Sequence, residues 1–442
     1  MSAPICDFVR SYCETVAVRL HMPGHKGRGG LGCEALDITE VPGADDLACP
    51  EGVILESEEN TTELYGSRHT FYSTGGSSQC VKAMLHLAYI SRPEGAGNRI
   101  LAARNAHKSF LHGCALLGLE PVWLYPDAPS PLCSCPVSPE SLAQALDAGE
   151  RPFAVYITSP DYLGGVQDIA ALAEVCHAHG LPLLVDNAHG AYLKFLEPSR
   201  HPLDLGADMC CDSAHKTLPV LTGGAYLHVA EGAVSPYELE ARHSLAVFGS
   251  SSPSYLILQS LDLCADRLDK DYPALIRETA RRVAALSREL GLTPPEGDPL
   301  KLALPAGNFG CTGPELAVCL LGWRTVAEYV DEDWVVLMFT PGLDEGAYDT
   351  VRRALPRPRP APHSPLSLPG PGERVLLPRE ALLARRVSLP VSKCAGRVCA
   401  DAAVSCPPAI PLAVCGERIT AEAARLMEKL GISQISVVEG LE

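Results

Sequence analysis

An α/β fold with a mostly parallel sheet and helices on both of its faces is predicted by two features of this 442-residue sequence. Between about residues 98 and 230, short apolar runs alternate with segments whose apolar residues recur at helical spacing. The runs are bounded by turn formers and by polar stretches, as strands buried in a covered sheet are.

Taken in order, the strand candidates are Ile100–Ala103, Val122–Tyr125, Ala154–Thr158, Leu183–Asp186, Asp208–Cys211 and Ala225–His228. Asp168–His179 (DIAALAEVCHAH) is representative of the helical segments between them. A long helical stretch, Ser254–Leu290, follows, with an interruption near Asp271-Tyr272-Pro273. It leads into a smaller α+β region with strands near Lys301–Leu304 and Trp334–Phe339. Residues 356–372 (PRPRPAPHSPLSLPGPG) read as an extended linker. Beyond it come a strand candidate at Ile410–Val414 and a helix at Thr420–Leu430. The expected organisation is an N-terminal arm (1–50), a large α/β domain (51–270), a small α+β domain (271–355), a linker (356–378) and a C-terminal α/β segment (379–442).

The formal charge of −17 argues against nucleic acid or an anionic membrane as partner, since both need a basic footprint. It is compatible with drawing in a cationic small molecule, although solubility alone accounts for it too. Residues 1–20 lack the uninterrupted apolar core of a secretory signal, and no run of about 18 apolar residues spans a bilayer, so the expected location is the cytoplasm. The 18 cysteines are scattered without a C-x-x-C pair. That spacing predicts buried small hydrophobes and no metal site. Gly27, Gly29 and Gly32 satisfy G-x-G-x-x-G, but HMPGHK precedes them where a dinucleotide fingerprint requires a buried strand.

Four short stretches carry chemistry. Leu183-Leu184-Val185-Asp186 is a buried-strand pattern with a carboxylate at its C-terminal edge, where α/β sheets bind ligands. An Asp there can pair with a pyridinium nitrogen and keep it protonated; the lesser alternative is a helix N-cap. Lys216, in Ser213-Ala214-His215-Lys216-Thr217, follows the next apolar run and can reach a cofactor aldehyde. Thr74-Gly75-Gly76-Ser77-Ser78 precedes a helical run, Gln79–Ala88, and offers a phosphate cradle at a helix N-terminus. Ser213 and His215 are further phosphate donors. Arg104-Asn105-Ala106-His107-Lys108-Ser109 follows a strand and presents an imidazole that can stack on a ring.

Together these stretches resemble the pyridoxal-5'-phosphate-dependent ornithine/lysine/arginine decarboxylases of fold type I. His21–Gly27 (HMPGHKG), Asp37–Leu47 (DITEVPGADDL), RNAHKS, VDNAHG and SAHKTL occur in that family's order. Pro407-Pro408-Ala409-Ile410-Pro411 with Gly416-Glu417 resembles its C-terminal PPGIP…PGE motif. The resemblance runs from about residue 20 to 425 and is to a short form without an N-terminal wing domain. It implies Lys216 as the lysine that carries the cofactor as a Schiff base, Asp186 as the pyridinium partner, His107 stacked on the ring and His189 beside it. It implies phosphate contacts from Thr74, Gly75, Gly76, Ser77, Ser213 and His215, and from Ser251 and Ser252 of a neighbouring subunit in a homodimer with shared active sites.

The sequence departs from the pattern at STGGSS, at Asp161 where Thr is common, and at Cys406, Ala409 and Cys415. The implied reaction is decarboxylation of lysine, arginine or ornithine to the corresponding amine, with Asp45, Asp46 and Glu417 as candidates to read the substrate's distal positive charge. Two alternatives stand beside it. One is another fold-type-I reaction: an aminotransferase, aldolase or desulfurase. The other is a non-catalytic homologue that binds the cofactor.

Overall fold

The computed structural model describes residues 1–441 apart from 17, 234, 360–365 and 406–409. Residues 360–365 of the proline-rich stretch and Cys406 to Ala409 of the C-terminal motif therefore lie outside the described residues. The chain divides into two compact units, one formed by residues 1–93 and 182–274, the other by residues 94–181 and 275–442.

In chain order, the first unit opens with α1 (Pro4–Thr15), α2 (Val53–Tyr65), β1 (His69–Ser73) and α3 (Gly76–Ile90). The second unit then contributes β2 (Arg99–Ala103), α4 (Lys108–Leu117), β3 (Glu120–Leu124), α5 (Pro139–Ala148), β4 (Val155–Thr158) and α6 (Ile169–Ala178). The chain returns to the first unit for β5 (Leu183–Asp186), β6 (Met209–Asp212), α7 (Ala214–Thr217), β7 (Ala225–Val229), α8 (Ser235–Phe248) and α9 (Tyr255–Asp269). There follow α10 (Tyr272–Glu289), β8 (Lys301–Pro305), α11 (Gly313–Gly322), β9 (Tyr329–Val330), β10 (Trp334–Met338) and α12 (Glu345–Ala354). Last come α13 (Pro378–Leu383), β11 (Arg386–Pro390), β12 (Ala403–Val404), β13 (Ala413–Val414), α14 (Ala421–Lys429) and β14 (Gln434–Val438). No described helix is long and apolar enough to cross a membrane.

The first unit orders its strands β1-β7-β6-β5, with β5 and β6 parallel and β7 antiparallel to both β6 and β1. The antiparallel β7 differs from a simple strand–helix repeat, and the reason is length. Residues 213–224 hold only the single turn α7, too little chain to pack a crossover helix and return parallel. Strand β1 escapes a reading for apolar runs because His69, Thr70 and Ser73 make three of its five residues polar. In the second unit β4-β2-β3 are parallel, β8-β10-β9 form an antiparallel sheet, and β11–β14 and β12–β13 are antiparallel pairs.

Local signals match the boundaries. Asp168, Thr312 and Thr420 each cap a helix by accepting a backbone N–H three residues on. The predicted break in the long helical stretch falls between α9 and α10, where Pro273 takes a first-turn position that tolerates its missing N–H. Helix α3 is held by an apolar stripe, with Cys80, Val81, Met84, Leu85, Leu87 and Ala88 buried. That stripe fixes its N-terminus beside the loop 74–76.

Candidate active site

Strand β5 is buried along its whole length and delivers Asp186 to its C-terminal edge, 3% exposed. In the register, Asp186 lies opposite Cys211 of β6. Its Oδ1 accepts the Ala188 amide at 3.3 Å and the Cys211 thiol at 3.8 Å, while Asn187 N donates to Cys211 O at 3.0 Å. The carboxylate is thus locked at the strand end by local bonds.

Two residues further on, His189 is 4% exposed, and its Nε2 lies 3.1 Å from Lys216 Nζ. Lys216 rides on α7, where its amide donates to Ser213 O at 3.0 Å. A single helical turn after a buried strand aims this lysine from a rigid base. His215 is turned the other way, with Nδ1 donating to Gly224 O at 2.9 Å.

The phosphate candidates converge in the same unit. Ser213 Oγ donates to Ser77 Oγ at 2.7 Å, which joins the end of β6 to the first turn of α3. That helix has no side-chain cap at its N-terminus. Its exposed amide dipoles favour an anion. Gly76 has φ +68° with open space where a Cβ would stand, so glycine serves the backbone conformation there. Gln79 folds back under the loop, its Oε1 accepting from Ser73 Oγ at 2.7 Å and Gly75 N at 3.1 Å. Thr74 is half-buried at the start of this loop.

Thr217, the residue after the lysine, has a buried hydroxyl with no hydrogen-bond partner among the described residues. Sequence reasoning passed over it, though it stands inside the SAHKT motif. A lysine, a strand-end carboxylate, two linked serines, an uncapped helix start and an orphaned hydroxyl are the donor set that a pyridine-ring phosphate cofactor requires.

Ser251 and Ser252 lie in an exposed loop of the first unit between α8 and α9. In the second unit, His107 caps α4, accepting Ser109 N at 3.3 Å, with Ser109 Oγ 2.8 Å from its Nδ1. Its ring is exposed.

The three acids expected to read a substrate's charge are engaged locally. Asp45 stands at φ +73° and accepts the amides of Asp46, Glu51, Gly52 and Ile54 at 2.8–3.0 Å, organising the entry to α2. Burial pushes its pKa up, but those amides outweigh burial and hold the carboxyl below the ordinary range. Asp46 accepts Ala48 N at 2.8 Å. Glu417 is 4% exposed and takes both terminal nitrogens of buried Arg104, each at 2.7 Å. Val414 N also donates to it at 3.2 Å, and Arg104 reaches Pro411 O at 3.3 Å. The Arg104 guanidinium faces the rings of Trp123 and Tyr125, 4.9 and 5.6 Å from their centroids. Burial alone would lower the Arg104 pKa, and Glu417 more than reverses that.

Asp161, one of the departures from the family pattern, is buried and accepts Ser134 Oγ at 2.6 Å and Gly165 N at 2.8 Å. Burial raises its pKa in spite of these donors and nearby Lys301.

Residues 3–290 match the family model described as Orn/Lys/Arg decarboxylase, major domain. The arginine decarboxylase of Bacillus subtilis (strain 168) is 28% identical across 95% of this chain and 91% of its own length. The arginine decarboxylase of Halalkalibacterium halodurans is 30% identical across 94% and 91%. Among solved structures, lysine decarboxylase A from Pseudomonas aeruginosa superposes with a TM-score of 0.80 at 18% identity, over 99% of this chain and 80% of that one. The constitutive lysine decarboxylase of E. coli gives 0.78 at 17% identity, over 99% and 82%. A serine palmitoyltransferase from Sphingomonas wittichii gives 0.55 at 15% identity, over 80% and 83%. The expected fold class is thereby established along the whole chain. By its family match, and by relatives that align from end to end, this chain belongs to the Orn/Lys/Arg decarboxylase family of pyridoxal-phosphate-dependent amino-acid decarboxylases.

Proposed function

We propose that this chain removes the α-carboxylate of a basic amino acid as CO2, that Lys216 holds the cofactor, and that arginine is the substrate to test first. The observation that carries the reading is the contact of Lys216 Nζ with His189 Nε2 at 3.1 Å, in the unit that also presents buried Asp186. Arginine leads because three of the relatives that span nine-tenths of both chains are named arginine decarboxylases. Lysine and ornithine follow.

Bound pyridoxal phosphate supplies an electron sink for the pair left behind when CO2 departs. Asp186 would keep a proton on the ring nitrogen, its own carboxylate fixed by the Ala188 amide and the Cys211 thiol. Ser77, Ser213, Thr217 and the first turn of α3 would hold the phosphate, and His107 would stack against the ring. Ser251 and Ser252 of a neighbouring copy would complete the phosphate contacts in a homodimer. The Lys216–His189 pair would pass a proton to Cα, replacing the lost carboxylate. One proton is consumed and one CO2 released per turnover.

The test is to incubate purified protein and cofactor with arginine, lysine and ornithine while measuring CO2, amine and keto acid. Equal amounts of amine and CO2 are expected. Keto acid without CO2 would replace this reading with a transaminase, and no product from any of the three would leave a cofactor-binding homologue.

A further inference from the structure

On the first unit's sheet, strand alternation separates two sets of residues. Cys211 of β6 faces Asp186, whereas Cys210 and Asp212 point to the opposite side. On the neighbouring strand His228 is the register partner of Cys210. His201, from the connection between β5 and β6, closes over them.

The sulfur of Cys210, a carboxylate oxygen of Asp212 and a ring nitrogen from each histidine lie within 4.8 Å of one another, and all four residues are 0% exposed. Both Nε2 atoms stand 3.1 Å from Asp212 Oδ2. Behind them, His228 Nδ1 meets Thr70 Oγ1 at 2.8 Å and Asn187 Nδ2 donates to Asp212 Oδ1 at 2.6 Å.

We propose that Cys210, Asp212, His201 and His228 form a closed, four-coordinate site for a divalent transition-metal ion, of which zinc is the one the donors suit best. Two nitrogens, one oxygen and one sulfur are a borderline-soft set, and four protein ligands with no open position mark a structural site. Charge supports it. A thiolate and a carboxylate against a 2+ ion leave a neutral cluster where all four side chains are sealed from bulk solvent. Binding releases the Cys210 thiol proton, so one metal ion enters as one proton leaves.

The outer partners also fit. The Thr70 hydroxyl accepts from His228 Nδ1 in the tautomer whose Nε2 lone pair faces the ion, and an amide holds the second carboxylate oxygen. One contact works the other way. Leu203 N–H points at His201 Nδ1 from 3.4 Å, and a ligating His201 gives that long contact up. Linear spacing conceals the cluster, because cross-strand register and not a C-x-x-C repeat assembles it.

The test needs no turnover. Full-length protein from zinc-supplemented growth is analysed for metal by mass spectrometry, then stripped with chelator and titrated with Zn2+ and Co2+. The expected result is about one zinc per chain, a melting temperature that falls on stripping and recovers with Zn2+, and a cobalt form with a thiolate charge-transfer band. Cys210→Ala should abolish that band. Thr70→Val leaves every ligand in place and should weaken metal affinity about 10–100-fold, as loss of an outer partner does. Metal-free protein whose melting temperature ignores both chelator and Zn2+ would overturn the proposal and leave a hydrogen-bonded His–Asp–His cluster. So would a cobalt spectrum unchanged in Cys210→Ala.

Discussion

Replacing Glu417 by Gln tests whether this acid serves the substrate or the fold. In the structure both of its carboxylate oxygens are taken by Arg104 at 2.7 Å, and the two side chains are 6% and 2% exposed. The amide accepts with one oxygen only and carries no charge, so the guanidinium would be left buried without a counterion. Breaking a buried pair in this way costs about 3–5 kcal/mol. At roughly 2 °C per kcal/mol for a unit of this size, the melting temperature should fall by about 6–10 °C. Removing both charges with Arg104→Met and Glu417→Leu should return most of that loss, since apolar pairs of similar volume often replace buried ion pairs at little cost. The assay is thermal unfolding of the parent, Glu417→Gln, the single variants Arg104→Met and Glu417→Leu and their double variant, alongside steady-state kinetics with arginine and norleucine. A structural pair gives a coupling energy in the cycle and equal kinetic losses for both amino acids. A melting temperature within about 2 °C of the parent, with KM raised for arginine alone, would refute the argument and return Glu417 to the substrate, because uniform binding of a distal cation moves KM and not kcat.

Three further outcomes are expected. Lys216→Ala should lose borohydride-fixable cofactor and turnover together, and normal trapping at this site would displace the lysine from its assigned role. Asp186→Asn should fold normally yet lose most of its rate, because the amide cannot keep a proton on the ring nitrogen; an unchanged kcat would count against that role. Burial, with Asp7 adding to it, pushes the Asp262 carboxyl up to about 6, and the folded chain therefore holds a proton that the unfolded chain has already released. Its stabilising effect is full below about pH 4 and is lost as pH rises through about 6, so Asp262→Asn should flatten the melting-temperature profile across that window, and an unaltered profile would contradict the assignment.

Much of this is legible in the sequence. Strand β5 begins and ends where its apolar run does, and Lys216 and His189 meet although 27 residues separate them, because two motifs at adjacent strand ends share one edge of a sheet. What linear patterns could not give was register and occupancy. Nothing in GADD shows that Asp45 gathers five amides at a left-handed turn, or in GE that Glu417 neutralises an arginine 313 residues away. Polar strands such as β1 are likewise invisible to hydropathy, since their polar groups are satisfied by partners distant in sequence, as Thr70 is by His228.

Strand β6 carries a constraint of its own. Its Cys211 faces Asp186, with Ser213 just past the strand end meeting Ser77, and its even-numbered positions serve the buried histidines on the reverse. A point substitution damages one side at a time. A one-residue insertion or deletion inside Met209–Asp212 would exchange the two sides outright, presenting an acid to the serines and a thiol to the histidines' partner position. The connection from residue 190 to 208 bears no such parity rule. Length variation in relatives should therefore collect at its exposed residues near Glu197 and Pro198, short of buried His201, and a library of single-codon insertions scanned across residues 190–215 should leave folded protein there and lose it within Met209–Asp212.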